Sequence, residues 1–179
     1  MASLTFKRLV LGAALVLAVA LIGCAPMGKY QLIKFPTESA ATFRNVEVGT
    51  VEAGVTEDDL EPGTPSELRL AIIKAVERTK MYEKVGSDLA GASQTIMIKP
   101  KIVEMNNGSQ FLRWLIGFGV GKAHMEVTCQ FVDTATGSVF ATGSFTGEIK
   151  AGLFGGLSNQ GKLSGQVAGA IASFLRKYR

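Results

Sequence analysis

The sequence predicts an α+β domain in which two helices cover one face of a mixed sheet. Two stretches carry apolar residues at the spacing of an amphipathic helix, and four others alternate apolar and polar residues as strands do. Their order, strand-helix-strand-strand-strand-helix, is typical of a two-layer domain. The connection through the first helix should be right-handed, which makes the first two strands parallel and the remaining neighbours antiparallel.

The first strand and helix have clear local signals. Val46 and Val48 share one face of a strand expected over 43–51. The sequence Thr64-Pro65-Ser66-Glu67 predicts a helix start in which Thr64 is the N-cap and Glu67 completes a capping box. The residues that should face the sheet from this helix are Leu68, Ile72, Ala75, Val76 and Thr79.

Three further strands and a last helix complete the predicted domain. Pro100 cannot donate a hydrogen bond to a ladder, so we expect it at a sheet edge or a bulge. The sequence Asp133-Thr134-Ala135-Thr136-Gly137 is typical of a tight turn between the last two strands. The predicted ranges are 95–104, 125–131 and 139–149 for the strands and 163–177 for the helix.

A charged and then apolar stretch precedes the domain. Lys7 and Arg8 are followed by an uncharged run over 9–22 that is too short to span a bilayer comfortably. Leu21-Ile22-Gly23-Cys24 closes this run and resembles the lipobox of bacterial lipoprotein precursors. That resemblance implies a diacylglycerol on the Cys24 thiol and removal of residues 1–23 as a signal peptide. The alternatives are an ordinary secretory signal with a chance cysteine, or a short membrane anchor.

Cleavage before Cys24 would leave 156 of the 179 residues, which suffices for one domain. We expect a lipidated cysteine and tether over 24–42 and a single domain over 43–179. The tether could reach about 60 Å when fully extended. The loss of Lys7 and Arg8 lowers the formal net charge from +4 to +2, so the charge gives no reason to expect a nucleic-acid partner.

The chain offers few groups for catalysis or metal binding. His124 is the only histidine, and Cys129 is the only thiol beyond Cys24. They lie five residues apart on one predicted strand and therefore point to opposite faces, so we expect a surface histidine and a buried cysteine. No GxSxG, HExxH, CxxC or calcium-loop motif occurs, and a zinc site would lack ligands. We predict no catalytic residue, no metal site and no cofactor.

Glycines form two regular patterns. Gly117-Phe118-Gly119-Val120-Gly121 precedes a strand and lacks the GxGxxG spacing, so we interpret it as a bent strand entrance. Gly161, Gly165 and Gly169 are spaced four residues apart on the last helix. We interpret this stripe as close packing of the helix onto the sheet, with helix contact in an oligomer as the alternative.

The central segment carries a family resemblance. Gly108-Ser109, Arg113 and the 117–121 glycines, followed by an alternating strand and Asp133…Thr136-Gly137, resemble the bacterial lipoprotein family called domain of unknown function 4410. The similarity covers about residues 40–178. It implies a small secreted or lipid-anchored domain and brings no catalytic residues. Arg113 is the one charged member of the motif and is a candidate brace for the glycine loop.

These observations favour a non-enzymatic envelope lipoprotein that acts as an interaction or assembly module. Ala25 follows Cys24 where an aspartate would signal inner-membrane retention, so we expect the outer membrane, facing the periplasm. The expected partners are membrane lipid through Cys24, an unidentified envelope protein and a second copy of the chain. One alternative is a small envelope hydrolase or ligand-binding enzyme using Arg113, Asp133 or the glycine loop, which would need a pocket of converging polar groups. Another alternative is an oligomeric subunit of an envelope complex that assembles through the glycine stripe.

A partner contact is expected from two unusually apolar connections. The predicted topology brings the connections 52–63, 105–122 and 150–160 to one end of the sheet and the tether to the other end. Large exposed apolar groups in connections are typical of protein or membrane contacts, although completion of the core is the alternative. The proposed membrane-distal contact residues are Phe111, Trp114, Ile116, Leu153 and Phe154.

Overall fold

A computed structural model describes residues 28–37, 40–56, 59–89, 91–106, 123–149 and 159–179. Within these ranges the chain forms a mixed seven-stranded sheet and two helices, which confirms the predicted α+β class. No helix of this part of the chain is long and apolar enough to cross a membrane. The strands are β1 (Lys29–Lys34), β2 (Asn45–Val48), β3 (Glu52–Ala53), β4 (Lys84–Gly86), β5 (Thr95–Asn106), β6 (Ala123–Asp133) and β7 (Val139–Ile149), and the helices are α1 (Thr64–Glu77) and α2 (Asn159–Lys177).

The strand order across the sheet is β1-β7-β6-β5-β2-β4, and β3 also pairs with β5. Strands β2 and β5 are parallel, with Val46 opposite Ile96. Strand β6 is antiparallel to both β5 and β7. The crossover through α1 therefore joins parallel strands, and the other predicted pairs are antiparallel, as expected. The short strands β3 and β4 were not predicted.

Strand β1 lies in the stretch that the sequence analysis assigned to the tether over 24–42. It is antiparallel to β7, with Tyr30 opposite Phe145. The Tyr30 ring lies 5.8 Å from the Phe145 ring and 5.9 Å from the Phe174 ring, measured between centroids. This packing explains why a polar, short segment joins the sheet. The sheet of the described residues thus includes Lys29–Lys34, which lie before the expected domain start at residue 43.

The direction of β1 also changes where the chain enters the sheet. Strands β5 and β7 run in the same direction, and β1 runs against β7 from Lys29, which is opposite Thr146. The chain therefore enters β1 at the end of the sheet where β5 and β7 finish. The prediction that the tether enters at the opposite end is wrong, because it took β2 for the first strand.

The core lies between the sheet and the two helices. Helix α1 buries Leu68, Ile72 and Val76, which confirms the predicted helix face, while Ala75 and Thr79 are half-buried. Helix α2 contributes Phe174, whose ring centroid lies 4.5 Å from that of Phe131 in β6. The Phe131, Phe145 and Phe174 rings contact one another within about 6 Å, a range in which aromatic pairs attract.

The start of α1 differs from the predicted capping box. Gly63, at φ 89°, is the N-cap, and Thr64 is the first helical residue. The Thr64 hydroxyl is buried and donates to the Glu61 carbonyl at 2.8 Å, while the Glu67 amide donates to the Gly63 carbonyl at 2.9 Å and not to a side chain. The Thr64 hydroxyl also hydrogen-bonds the Gln160 side-chain oxygen at the start of α2. Thr64 therefore joins the two helices instead of capping one of them.

Pro100 lies inside the sheet, opposite an interruption in its neighbour. Val48 pairs with Ile98 and Glu52 with Lys101, so the register slips by one residue between β2 and β3. Neither β2 nor β3 pairs with Pro100, whose missing N–H therefore costs no ladder bond on that side. Pro100 thus lies beside an interruption between the neighbouring strands β2 and β3. It is not at a sheet edge, because β6 pairs with it on the other side, and the bulge in β5 lies between Ile102 and Glu104.

A strand glycine, rather than the α2 glycine stripe, permits close packing of α2 on the sheet. A Cβ on Gly147 in β7 would lie 2.8 Å from the Leu163 carbonyl oxygen of α2. In contrast, a Cβ on Gly165 or Gly169 would have no atom within 4 Å, and Gly165 is exposed. The interpretation of the stripe as packing onto the sheet is therefore wrong, because the stripe faces away from it.

These two environments predict opposite effects of the same substitution. Gly165→Ala should raise the free energy of unfolding by up to about 1 kcal/mol, because alanine is the better helix former and space is open. Gly147→Ala should lower it by about 1–3 kcal/mol, because the new methyl overlaps the backbone of α2. Urea denaturation of the two variants in dilute solution checks this. Equal shifts of the same sign would show that α2 does not press on β7.

Candidate functional site

Most of the predicted site residues lie outside the described residues. This holds for the lipidation residue Cys24, the candidate brace Arg113 and the candidate partner contacts Phe111, Trp114, Ile116, Leu153 and Phe154. The structure does describe the strand and helix ends that flank them. The last residue of β5, the first of β6 and the last of β7 all lie at the end of the sheet where the chain enters β1.

Asp133, which the alternative enzyme hypothesis would use, stabilises the β6–β7 turn. One carboxylate oxygen accepts the Ala135 backbone N–H at 2.9 Å, and the other accepts the Thr136 hydroxyl at 2.8 Å. The Gly137 N–H donates to the Asp133 carbonyl at 2.8 Å, which closes the predicted turn. Both carboxylate oxygens are therefore committed to local structure, which favours a structural role for this residue.

Cys129 is fully buried on the helix side of β6, as predicted. Met125, Val127 and Phe131 share this buried face, whereas His124 lies on the other side of the strand. Burial raises the pKa of the Cys129 thiol well above its ordinary value of 9.0, because the thiolate would be desolvated. The thiol is therefore protonated at neutral pH and behaves as a small apolar group.

A variant with Cys24→Ser should react slowly with a thiol reagent, because its remaining thiol at Cys129 is buried and protonated. Labelling followed by absorbance should become fast once the protein is denatured. The stabilising contribution of the protonated thiol is complete below pH 9.0 and decreases above it, since the unfolded thiol ionises first. Fast labelling of the folded protein would contradict the burial of Cys129.

The sheet face away from the helices brings together the only histidine and two glutamates. His124 and Glu126 come from β6, and Glu104 comes from β5. The His124 Nε2 lies 3.8 Å from a Glu104 carboxylate oxygen. One ligand-type atom from each of the three residues lies within 4.8 Å of the other two. We call these three residues the Glu-His-Glu cluster.

A bulge in β5 aims Glu104 at this cluster. Ile102 pairs with Val127, but the next paired residue is Glu104, opposite Glu126, so Val103 is extra. Ile102 and Met105 remain buried on the helix side. The bulge thus turns both Val103 and Glu104 to the open face, which is the kind of side-chain redirection that bulges provide. This register cannot be derived from regular alternation, so the sequence pattern does not bring Glu104 to His124 and Glu126.

An open groove of about 550 Å³ lies at the other edge of the sheet, beside β4. Tyr82, Glu83 and Lys84 line it together with residues at the end of α1. Desolvation by burial raises the pKa of Tyr82 to about 12, although the nearby Arg179 guanidinium acts in the opposite direction. Glu83 pairs with Arg44 at 3.3 Å. Strand β2 lies between β4 and β5, the strand that carries Glu104, so the groove and the Glu-His-Glu cluster are separate sites.

The fold and these sites define a small two-layer α+β domain in which, among the described residues, helices cover one face of the sheet and the other face is polar. The chain belongs to the family described as "Domain of unknown function (DUF4410)", whose model matches residues 38–170. The match confirms the resemblance seen in the sequence. Strand β1 lies before the matched range.

Two solved structures show the same fold. The PelC dodecamer from Paraburkholderia phytofirmans has a TM-score of 0.56 and 12% sequence identity, over 82% of this chain and 96% of that chain. A single-substitution variant of that dodecamer has a TM-score of 0.54 and 17% identity, over 82% and 98% of the respective chains. No curated protein matches the sequence. Neither the family description nor these fold neighbours indicate catalysis.

Proposed function

We propose that the protein is a lipid-anchored envelope lipoprotein that acts as a non-enzymatic assembly module. The observation that carries this proposal is the lipobox sequence Leu21-Ile22-Gly23-Cys24, placed directly before a domain of this family. Ala25 after Cys24 supports the outer membrane, with the domain facing the periplasm. The commitment of both Asp133 carboxylate oxygens to a turn weighs against the hydrolase alternative.

The anchor would hold the domain close to the bilayer. Only three residues, 25–27, lie between Cys24 and Gly28, so the Cα atoms of Cys24 and Gly28 can be at most about 14 Å apart. The sheet end where β5 and β7 finish would then face the membrane. We therefore assign the proposed contact residues Phe111, Trp114, Ile116, Leu153 and Phe154 to the membrane-proximal side, and Arg113 remains the proposed brace of that region.

Self-assembly is the second part of the proposal. The two fold neighbours are dodecamers, which supports assembly of this chain with copies of itself. Helix α2 offers a surface for it, because Gly161 and Gly165 are exposed and Gly169 is half-buried. Each glycine costs up to about 1 kcal/mol relative to alanine in a helix. No contact within the described chain offsets that cost at Gly165 and Gly169, whereas close approach of another helix would.

Lipidation is tested by metabolic labelling with a palmitate analogue in cells that make the full chain. The wild-type protein should carry label and lose its signal peptide, and globomycin should cause the unprocessed precursor to accumulate. Cys24→Ala should remove the label and block processing. Cys129→Ala is the matched control and should keep both, because this thiol is buried in the domain. Label on the Cys24→Ala variant, or processing unaffected by globomycin, would overturn the lipoprotein assignment.

Assembly is tested by light scattering of the full chain in detergent. The wild-type protein should form a multi-subunit species, and Gly165→Leu should shift it to smaller species by blocking close helix approach. Lys74→Leu places the same side chain on the exposed surface of α1 and is the control. Circular dichroism should show that both variants are folded. A monomeric wild-type chain would overturn self-assembly, and an unaffected Gly165→Leu assembly would exclude α2 from the interface.

A further inference from the structure

The Glu-His-Glu cluster contains two neighbouring carboxylates that no lysine or arginine of the described residues neutralises. Glu104 and Glu126 stand directly opposite each other on paired strands, where like charges destabilise a sheet. Among the described residues, no lysine or arginine forms an ion pair with either carboxylate. Two lysines on this face pair with other carboxylates, since Lys101 pairs with Glu52 at 3.8 Å and Lys29 with Glu148 at 4.0 Å.

The cluster is also held in place by its surroundings. The Ser144 hydroxyl of β7 donates to a Glu126 carboxylate oxygen at 2.6 Å. The bulge at Val103 fixes Glu104 on the open face, and His124 is largely covered, with 23% of its side chain exposed. Glu104 and Glu126 come from two central strands, β5 and β6. Hydrogen bonds that orient a ligand in this way are the usual second layer of a metal site.

We propose that the Glu-His-Glu cluster binds one divalent transition-metal ion of the zinc type. One imidazole nitrogen and two carboxylates would supply three ligands and leave the remaining positions open to water or to a partner. Ligands at bonds of about 2.0–2.2 Å lie about 3.3–3.6 Å apart around a tetrahedral ion. Small side-chain rotations close the present separations, which are within 4.8 Å. The imidazole favours zinc-like ions over magnesium or calcium, which prefer oxygen ligands alone.

Isothermal titration of the full chain with ZnCl₂, purified in detergent without a polyhistidine tag, should show one binding site. His124→Gln and Glu104→Gln should each weaken Zn²⁺ binding by at least about tenfold, and Ser144→Ala by about tenfold through loss of orientation. Glu52→Gln removes an exposed glutamate outside the cluster and should bind as the wild type does. MgCl₂ should give no comparable signal. Unchanged Zn²⁺ binding in the His124→Gln variant would overturn the proposal, as would the absence of binding.

Thermal unfolding separates a metal site from a purely structural ion pair. Without metal, Glu104→Gln should raise the melting temperature by relieving the repulsion from Glu126. With Zn²⁺, the wild-type chain should gain stability and Glu104→Gln should not, because binding to the folded state is linked to stability. A metal-free Glu104→Gln variant that melts below the wild type, together with no zinc-induced shift, would show that Glu104 serves only as a partner of His124. Neither outcome depends on whether Cys24 is lipidated.

Discussion

The contact between α2 and the sheet is the interaction on which the rest of the domain depends. Phe174 packs on Phe131 and Phe145, and the missing side chain at Gly147 lets the α2 backbone approach β7. Tyr30 packs against the same rings, so β1 is held on the sheet by side chains as well as by its ladder. At the other end of the layer, the hydrogen bond between Thr64 and Gln160 ties α1 to the start of α2.

The alternation of side chains along β6 determines which of its functional groups are buried and which are accessible. Every second side chain is buried beneath the helices, and this set includes Cys129, the only thiol of the domain. The intervening side chains include His124 and Glu126 on the open face. A thiol that is desolvated and protonated does no surface chemistry, whereas the largely covered His124 imidazole lies beside two carboxylates, where a cation is proposed to bind. The polar face is therefore the side of the fold that carries the proposed metal site.

Sequence reasoning predicted the long elements and missed the short ones. The α+β class, the buried face of α1 and the parallel pair of β2 with β5 follow from periodicity and handedness, which are local or topological rules. Strand β1 was not predicted, because its six residues are held on the sheet by contacts with aromatic rings that are distant in sequence, and no local pattern reveals such contacts. The capping box failed because burial of Thr64 by α2 is a tertiary effect. Local propensity predicts where a helix starts, but it does not predict the tertiary contacts that the first helical residue makes.

Only two of the three residues in the Glu-His-Glu cluster could be placed together from the sequence. His124 and Glu126 are two residues apart on a predicted strand, so their common face could be derived. Glu104 could not be added, because regular alternation would leave it facing the helices with Ile102, and only the extra residue Val103 reverses this. A single bulge therefore decides whether the face holds two ligand-type residues or three.

The entry of the chain into β1 has a mechanical consequence. A pull on the chain before Gly28, directed out of that end of the sheet, acts along the axis of β1. The hydrogen bonds from Lys29 to Lys34 then share the force in shear, and they must yield together. A pull applied at the other end of β1, perpendicular to the strand, would instead break the β1–β7 hydrogen bonds one after another. If force is applied through the N-terminal end of β1, the strand is therefore loaded in shear, which resists force better than peeling does.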